Sequence, residues 1–149
     1  GVRVYYAGSV QETTEVYELV EQAGCNIAGE DHDMGRRMFD TDVDERLEPV
    51  SALAERLIKR MPVSEKGSIR ARVRSLGREL DEVRPDAFIT FMNNNDEAYV
   101  WDYPSVKAEL LEKRGIPDIV VQKQSWPLME PQALRTQLEA LAQRAKEAK

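Results

Sequence analysis

The residues best suited to bind a ligand are three consecutive asparagines and an aspartate: Asn93, Asn94, Asn95 and Asp96. They follow residues 87–92, an apolar or β-branched run without helical spacing, which is typical of a strand buried on both faces of a parallel sheet. Open α/β sheets bind ligands at the carboxyl ends of their strands. Side-chain amides exchange hydrogen bonds but are neither strong bases nor nucleophiles, so the segment favours ligand binding over acid–base chemistry. An Asn-rich turn before a helix explains the same residues without a ligand.

A second candidate segment, Gly8 and Ser9, ends the strand predicted for residues 2–7. Ser9 and Glu12 have the Ser-x-x-Glu form of a capping box, which predicts that Ser9 is the N-cap of a helix. Backbone N–H groups at such a helix start can hold a phosphate or a carboxylate. Ser9 has no base next to it in sequence, so a nucleophilic pairing with His32 would require the fold to bring the two together.

The acidic segment at residues 30–37 contains the single histidine, His32. The segment resembles the Asp-x-His-x-x-Gly motif of cobalamin-binding domains, in which the histidine is the lower cobalt ligand, with Glu30 in place of the aspartate. In those domains the motif follows the first strand and a Gly-Gly pair is present. Here it follows the second strand without that pair, so we interpret the match as coincidental. Asp31, Asp33 and His32 could also bind a divalent metal, but the interpretation we favour is a solvated acidic loop.

The elements that must position these residues alternate along the chain. Strands are predicted at residues 2–7, 25–29, 87–92 and 118–121. Helices are predicted from Ser9 to Gly24, from Pro49 to Met61, at residues 68–83 and 104–114, and from Pro131 onward. This alternation predicts an α/β fold: a flavodoxin-like three-layer sandwich with a four-stranded parallel sheet of order 2-1-3-4. The polar segments 8–9, 30–37, 93–96 and 124–126 should then share one rim.

Several helix faces and one cysteine carry more specific expectations. The helix predicted from Pro49 to Met61 should bury its apolar residues, Val50, Leu53, Ala54, Leu57, Ile58 and Met61. Residues 68–83 should bury Ile69, Val73, Leu76, Leu80 and Val83. The arginines of the same helix are expected on a solvated face: Arg70, Arg72, Arg74 and Arg78. Cys25 opens a strand after a helix-ending glycine and is expected in the core.

Length and composition limit the possible functions. With 149 residues and 42% hydrophobic content, the chain is expected to form a single domain, residues 1–149. A net charge of −6 argues against nucleic acid, and no apolar stretch is long enough to cross a membrane. One cysteine fits a reducing cytoplasm and excludes an intrachain disulfide. The chain starts at Gly1 directly before a strand, so we expect a piece of a longer protein.

A series of short segments, in order and spacing, resembles the C-terminal domain of the 2-hydroxyacyl-CoA dehydratase and benzoyl-CoA reductase subunit family (2-hydroxyglutaryl-CoA dehydratase D-component-like). The segments that carry the resemblance are the first strand with Gly8-Ser9, then residues 21–24, 30–31, 35–37, 53–56, 85–89, 101–104, 113–117 and 134–139.

The resemblance implies a complex in which two related subunits pair around [4Fe–4S] iron–sulfur clusters. An ATP-hydrolysing activator protein supplies low-potential electrons for the dehydration of a 2-hydroxyacyl-CoA or the reduction of an aromatic acyl-CoA ring. The family's C-terminal domain supplies a cluster cysteine after the central strand, whereas residues 92–97 contain none here. The subunit therefore binds its cluster differently, is a cluster-free paralogue, or has another task. No cluster is expected in this chain, and the domain alone should be inactive.

These observations give two hypotheses of different classes. In the first, the domain contributes a wall of an acyl-CoA site and a subunit interface in an anaerobic oxidoreductase or lyase complex. The substrate-binding candidates are then Gly8, Ser9, His32, Asn93, Asn94, Asn95 and Asp96. In the second, the chain is a non-catalytic flavodoxin-like ligand-binding or interaction module, since a fold does not determine a function.

Overall fold

A computed structural model describes residues 1–38, 41–60, 62, 67–96 and 98–148. Its four strands form one parallel sheet in the order β2-β1-β3-β4, with helices on both faces. The predicted α/β fold and strand order are therefore confirmed. The strands are β1 (Val2–Gly8), β2 (Cys25–Asp31), β3 (Ala87–Asn93) and β4 (Asp118–Gln124). The outer strands β2 and β4 are two and three residues longer at their carboxyl ends than the sequence predicted.

The central strand β3 is buried from Ala87 to Met92, as its unbroken apolar run predicted. It pairs with β1 on one side and β4 on the other. Two register shifts interrupt the sheet. One extra residue enters β2 opposite Val4 and Tyr5 of β1, and one enters β4 opposite the end of β3. Such bulges bend the longer strand and redirect its side chains.

The helices are α1 (Glu15–Gln22), α2 (Pro49–Lys59), α3 (Ile69–Val83), α4 (Ala98–Val106), α5 (Glu112–Arg114) and α6 (Pro131–Glu147). A π-helical turn, Lys107–Leu111, joins α4 to α5, and a short 3₁₀ turn spans Arg36–Met38. Two predicted helix starts are wrong. The first helix begins at Glu15 after an N-cap at Thr14, and the helix predicted from Pro104 begins six residues earlier, at Ala98.

Two apolar clusters fill the layers between helices and sheet. Alternate strand residues face opposite sides, so Tyr6 and Phe91 pack against α1 and α6, whereas Tyr5 and Phe88 pack against α3 and α4. The first layer receives Val16, Leu19 and Val20 from α1 and Leu134, Leu138 and Leu141 from α6. The second receives Val73, Leu76 and Leu80, with Ile69 and Val83 partly buried, as predicted for α3. Cys25 lies in the first cluster, as predicted.

The apolar face of α2 is exposed, which contradicts the predicted burial. The side chains of Val50 and Ile58 are 72% and 82% exposed, and Leu53 and Leu57 are more than half exposed. Ala52 is the buried residue of this helix. Helical periodicity identifies an apolar face but does not identify what covers it. Met61, also predicted to be buried here, lies outside the described residues.

The arginines of α3 are not all solvated, because Arg72 is 3% exposed. Its guanidinium forms an ion pair with buried Asp102, lies 3.6 Å from Asp31 and covers the Tyr99 ring at 5.3 Å. Arg37, also buried, donates to Asp31 at 2.7 Å. Arg70, Arg74 and Arg78 are exposed as predicted. Two carboxylates and two guanidiniums thus connect β2, the 3₁₀ turn, α3 and α4.

Candidate functional site

A pocket of about 630 Å³ opens at the carboxyl edge of β1, β3 and β4. Three of the four polar segments expected on one rim contribute to it. Its lining residues are Ser9, Val10, Glu12, Asn93, Asn94, Asn95, Asp96, Gln124, Ser125 and Trp126. The segment at residues 30–37 begins with the last two residues of β2, at the far side of β1, and does not line this pocket. Gly8 does not line it either.

Ser9 connects the ends of β1 and β3. Its backbone N–H donates to the Phe91 carbonyl at 2.8 Å, its hydroxyl donates to Asp96 Oδ2 at 2.6 Å, and it accepts the Asn93 N–H at 2.9 Å. The prediction of Ser9 as a helix N-cap is therefore wrong. The capping-box pattern describes local partners, whereas the hydroxyl binds a residue 87 positions away.

Gly8 allows this connection because of its backbone. It has a φ of +125°, and a Cβ at this position would lie 2.0 Å from the Phe91 carbonyl oxygen. A side chain would therefore push the two strand ends apart at the point where the Ser9 hydrogen bonds join them. Gly8 thus permits the close approach of β1 and β3 beside the pocket, although it is not among the lining residues.

Asp96 fixes the turn that carries the asparagines. Its second carboxylate oxygen accepts the Ala98 N–H at 3.2 Å at the start of α4. Both carboxylate oxygens therefore accept hydrogen bonds from within the protein. The Asn94 N–H donates to the Gln124 carbonyl at 2.9 Å, which ties the turn to β4. The side chains of Asn94 and Asn95 are exposed and make no hydrogen bond within the described part of the chain. Their amides are therefore available to a ligand.

These amides give the pocket its chemistry. Among the described residues, the lining offers donors and acceptors from four side-chain amides and two carboxylates, Glu12 and Asp96, and no basic side chain. Such a surface suits an uncharged, amide-bearing ligand, because an anion would meet unfavourable charge.

The comparisons with known proteins agree with the expected family. The family model described as "2-hydroxyglutaryl-CoA dehydratase, D-component" matches residues 1–144. The chain belongs to this family. The (R)-phenyllactyl-CoA dehydratase beta subunit of Clostridium sporogenes is 25% identical over 122 residues, which are 82% of this chain and 32% of that protein. The chain thus spans about a third of the length of this curated relative.

The single thiol of this D-component family member lies at the amino edge of the sheet, opposite the edge that forms the pocket. Cys25 begins β2, where it pairs with Val2 at the amino end of β1, and it is 1% exposed. Burial raises the pKa of the Cys25 thiol, which disfavours the thiolate that ligates iron. The residues of this pocket therefore do not fit an iron–sulfur cluster.

Anaerobic reconstitution with iron and sulfide should accordingly leave the isolated chain without a cluster. The physical reason is that Cys25, the one cysteine, is buried at the opposite edge from the pocket. The measurement is iron and sulfide content with the visible spectrum after desalting, with Cys25→Ala as the control. A brown parent chain with stoichiometric iron and sulfide would contradict this expectation. Loss of the colour in Cys25→Ala would then identify Cys25 as a cluster ligand, and its persistence would show that other residues bind the iron.

His32 belongs to a separate buried group. Its Nε2 lies 2.7 Å from the Tyr17 hydroxyl and 3.1 Å from Glu30 Oε2, and Tyr17 donates to Glu30 at 3.0 Å. Burial, and then the Glu30 carboxylate, raise the pKa of Tyr17, so the phenol stays protonated and its proton goes to Glu30. The network then assigns the imidazole proton to Nε2. The ring packs edge-on against Tyr6, whose hydroxyl donates to the Ser9 carbonyl.

The acidic residues beside His32 form ion pairs with an arginine of the same chain. Arg37 donates to both Asp31 and Asp33, at 2.7 Å and 2.8 Å. Across the described ranges, no group of three or more His, Cys, Asp or Glu side chains could hold a metal ion. No helix in those ranges is long and apolar enough to cross a membrane.

Sequence reasoning missed two parts of this region. It did not identify Tyr6 and Tyr17 as the residues that connect His32 to the Ser9 end of β1. It also missed a second pocket beside the asparagines that includes Trp101 and Lys123. In the sequence, nothing distinguishes the two tyrosines from ordinary strand and helix residues. The bulge that positions Lys123 has no sequence signature.

Proposed function

We propose that this chain is the C-terminal domain of a 2-hydroxyacyl-CoA dehydratase-like or benzoyl-CoA reductase-like subunit. It forms one wall of an acyl-CoA site and part of a subunit interface. In the full complex, by family resemblance, a paralogous subunit and an ATP-dependent activator accompany it, and cluster ligands come from outside this pocket. The observation that carries the proposal is the amide-lined pocket at the carboxyl edge of a family member's sheet.

The pocket's chemistry matches the middle of an acyl-CoA molecule. The pantetheine arm is uncharged and bears amides and a hydroxyl, which complement the amides of Asn94, Asn95 and Gln124. Trp126 adds a half-exposed aromatic surface beside them. The pocket volume, about 630 Å³, is within the range of small-molecule sites.

The exposed face of α2 supports the interface part of the proposal. Val50, Leu53, Leu57 and Ile58 form an apolar surface at helical spacing, and apolar surface of this kind is typically covered in an assembly. The occupant we propose is the paralogous partner subunit. The relative from Clostridium sporogenes is named a beta subunit, which places that protein in an assembly.

Replacing both Asn94 and Asn95 with alanine should weaken acyl-CoA binding while leaving stability nearly unchanged. Each lost hydrogen bond to an uncharged group costs about 0.5–1.5 kcal/mol, so we expect a several-fold effect per asparagine. Exposed side chains without protein partners contribute within about 0.5 kcal/mol to stability. The measurements are the melting temperature and the Kd for a 2-hydroxyacyl-CoA such as phenyllactyl-CoA.

Asn26→Ala is the matched control, because Asn26 is exposed near the amino end of β2, away from the pocket. It should change neither quantity. A large loss of stability with unchanged acyl-CoA affinity in the double variant would contradict the ligand-wall proposal. That result would favour the non-catalytic module, in which the asparagines merely hold a turn.

A further inference from the structure

The asparagine turn, residues 93–96, is joined to the start of α4. The Ala98 N–H, at the first residue of that helix, donates to Asp96 at 3.2 Å, and the other oxygen of Asp96 accepts the Ser9 hydroxyl. The turn is therefore bonded to β1 on one side and to α4 on the other. A rotation of α4 must move the turn or break one of these hydrogen bonds.

The inner face of α4 is held mainly by one arginine of α3. The buried residues of α4 are Tyr99, Asp102 and Val106. Arg72 forms an ion pair with Asp102, and its guanidinium carbon lies 5.3 Å from the centre of the Tyr99 ring. A planar guanidinium can bind a carboxylate at its edge while its face covers an aromatic ring. Two contacts at different points of the helix fix its rotation about its own axis.

Arg72 is itself fixed from the other side. Its guanidinium donates to the Pro62 carbonyl at 2.9 Å and lies 3.6 Å from Asp31, the last residue of β2. The side chain is buried, so water does not compete for these contacts. The sheet therefore determines where the guanidinium lies, and α4 takes its orientation from the guanidinium.

The backbone of α4 determines this orientation less strongly. Pro104, within the helix, has no N–H to donate to the carbonyl four residues earlier, and the π-helical turn at Lys107–Leu111 changes the hydrogen-bond pattern again. Rotation by one residue, about 100°, would move a Cα atom about 3.5 Å on its radius of about 2.3 Å. The hydrogen bond between Ala98 and Asp96 would not survive such a movement.

We propose that Arg72 is a positioning residue for the candidate ligand site. Its contacts with Asp102 and Tyr99 set the orientation of α4 and thereby hold Asn94 and Asn95 where a ligand meets them. A buried ion pair is often no more stabilising than apolar residues of similar volume, so the geometry that it defines is what distinguishes it. The inference rests on the proposed function, in which these two amides bind an acyl-CoA.

Arg72→Lys separates positioning from stability. A lysine keeps a positive charge beside Asp102, but one ammonium cannot also cover Tyr99 and reach the Pro62 carbonyl. The Kd for phenyllactyl-CoA should rise about threefold in Arg72→Lys and about tenfold in Arg72→Met, because displaced asparagines lose hydrogen bonds to the ligand. Both values are measured on the whole chain at a temperature at which circular dichroism shows each variant to be folded.

Leu138→Ala is the control for lost stability. Leu138 is 1% exposed in the apolar cluster on the face of the sheet opposite α3 and α4. Its truncation should destabilise the protein as a core cavity does, without a contact to α4. The Kd for phenyllactyl-CoA should therefore stay unchanged in this variant.

Amide hydrogen exchange tests the positioning without a ligand. The amides of Ala98 and Asn94 donate to groups that hold the turn in place. In Arg72→Lys, both should exchange about tenfold faster relative to the Ala23 amide at the end of α1, because the ratio cancels any change in global stability.

Equal Kd values for Arg72→Met and Leu138→Ala would overturn the inference. An unchanged exchange ratio in Arg72→Lys would also overturn it, and this measurement decides if Arg72→Met does not fold. If the parent chain does not bind phenyllactyl-CoA, the proposed function is contradicted, and the exchange ratio alone then shows whether Arg72 positions the turn.

Discussion

Replacing Arg72 with methionine should lower the free energy of unfolding by about 3–5 kcal/mol, the usual cost of breaking a buried ion pair by removing one partner. Arg72 is 3% exposed and pairs with Asp102, and its guanidinium also donates to the Pro62 carbonyl at 2.9 Å. Methionine fills similar space but leaves the Asp102 carboxylate buried without this cation. Because a domain of this size is stable by about 5–15 kcal/mol, the loss is a large share. Urea denaturation of the two proteins measures it.

Arg74→Met is the matched control on the same helix. Arg74 is exposed, and its replacement should stay within about 0.5 kcal/mol. Adding Asp102→Leu to Arg72→Met should restore part of the lost stability, because the buried carboxylate that has lost its Arg72 cation is then removed. If Arg72→Met destabilises no more than Arg74→Met, the buried network does not contribute as the contacts indicate.

The sequence predicted the sheet well because its signals are local. An unbroken apolar run is sufficient to identify β3, and the alternation of strands and helices restricts the strand order. The position of residues 93–96 at the carboxyl edge follows from the same signals. The pocket beside β4 could be expected for the same reason, since residues 124–126 end the neighbouring strand.

The predictions are wrong where a residue far away in the sequence determines the contacts of a side chain. Ser9 fits a local capping box, yet its hydroxyl binds Asp96, because the end of β3 lies beside that of β1. Arg72 fits a solvated stripe, yet Asp102 and Asp31 come from other elements and allow its burial. The apolar face of α2 has the periodicity of a core helix but no cover within this chain's described part. Periodicity and local motifs do not contain this information.

Gly8→Ala should cost about 2–5 kcal/mol, from left-handed backbone strain and from overpacking. The new Cβ would begin 2.0 Å from the Phe91 carbonyl oxygen, and this atom is backbone, so it cannot rotate away. Either β1 and β3 separate at their carboxyl ends or the Ser9 N–H bond to Phe91 breaks. In both cases Ser9 moves relative to Asp96, so acyl-CoA affinity should fall together with the melting temperature.

Gly115→Ala separates the two causes. Gly115 also has a positive φ, +64°, at the end of α5, but a Cβ there meets no atom within 4 Å. Its replacement should cost about 1–2 kcal/mol of backbone strain alone and leave ligand affinity unchanged. The excess loss in Gly8→Ala then measures the contact with Phe91. If the two variants lose equal stability, and Gly8→Ala binds acyl-CoA as the parent chain does, the close approach of β1 and β3 does not hold the pocket together.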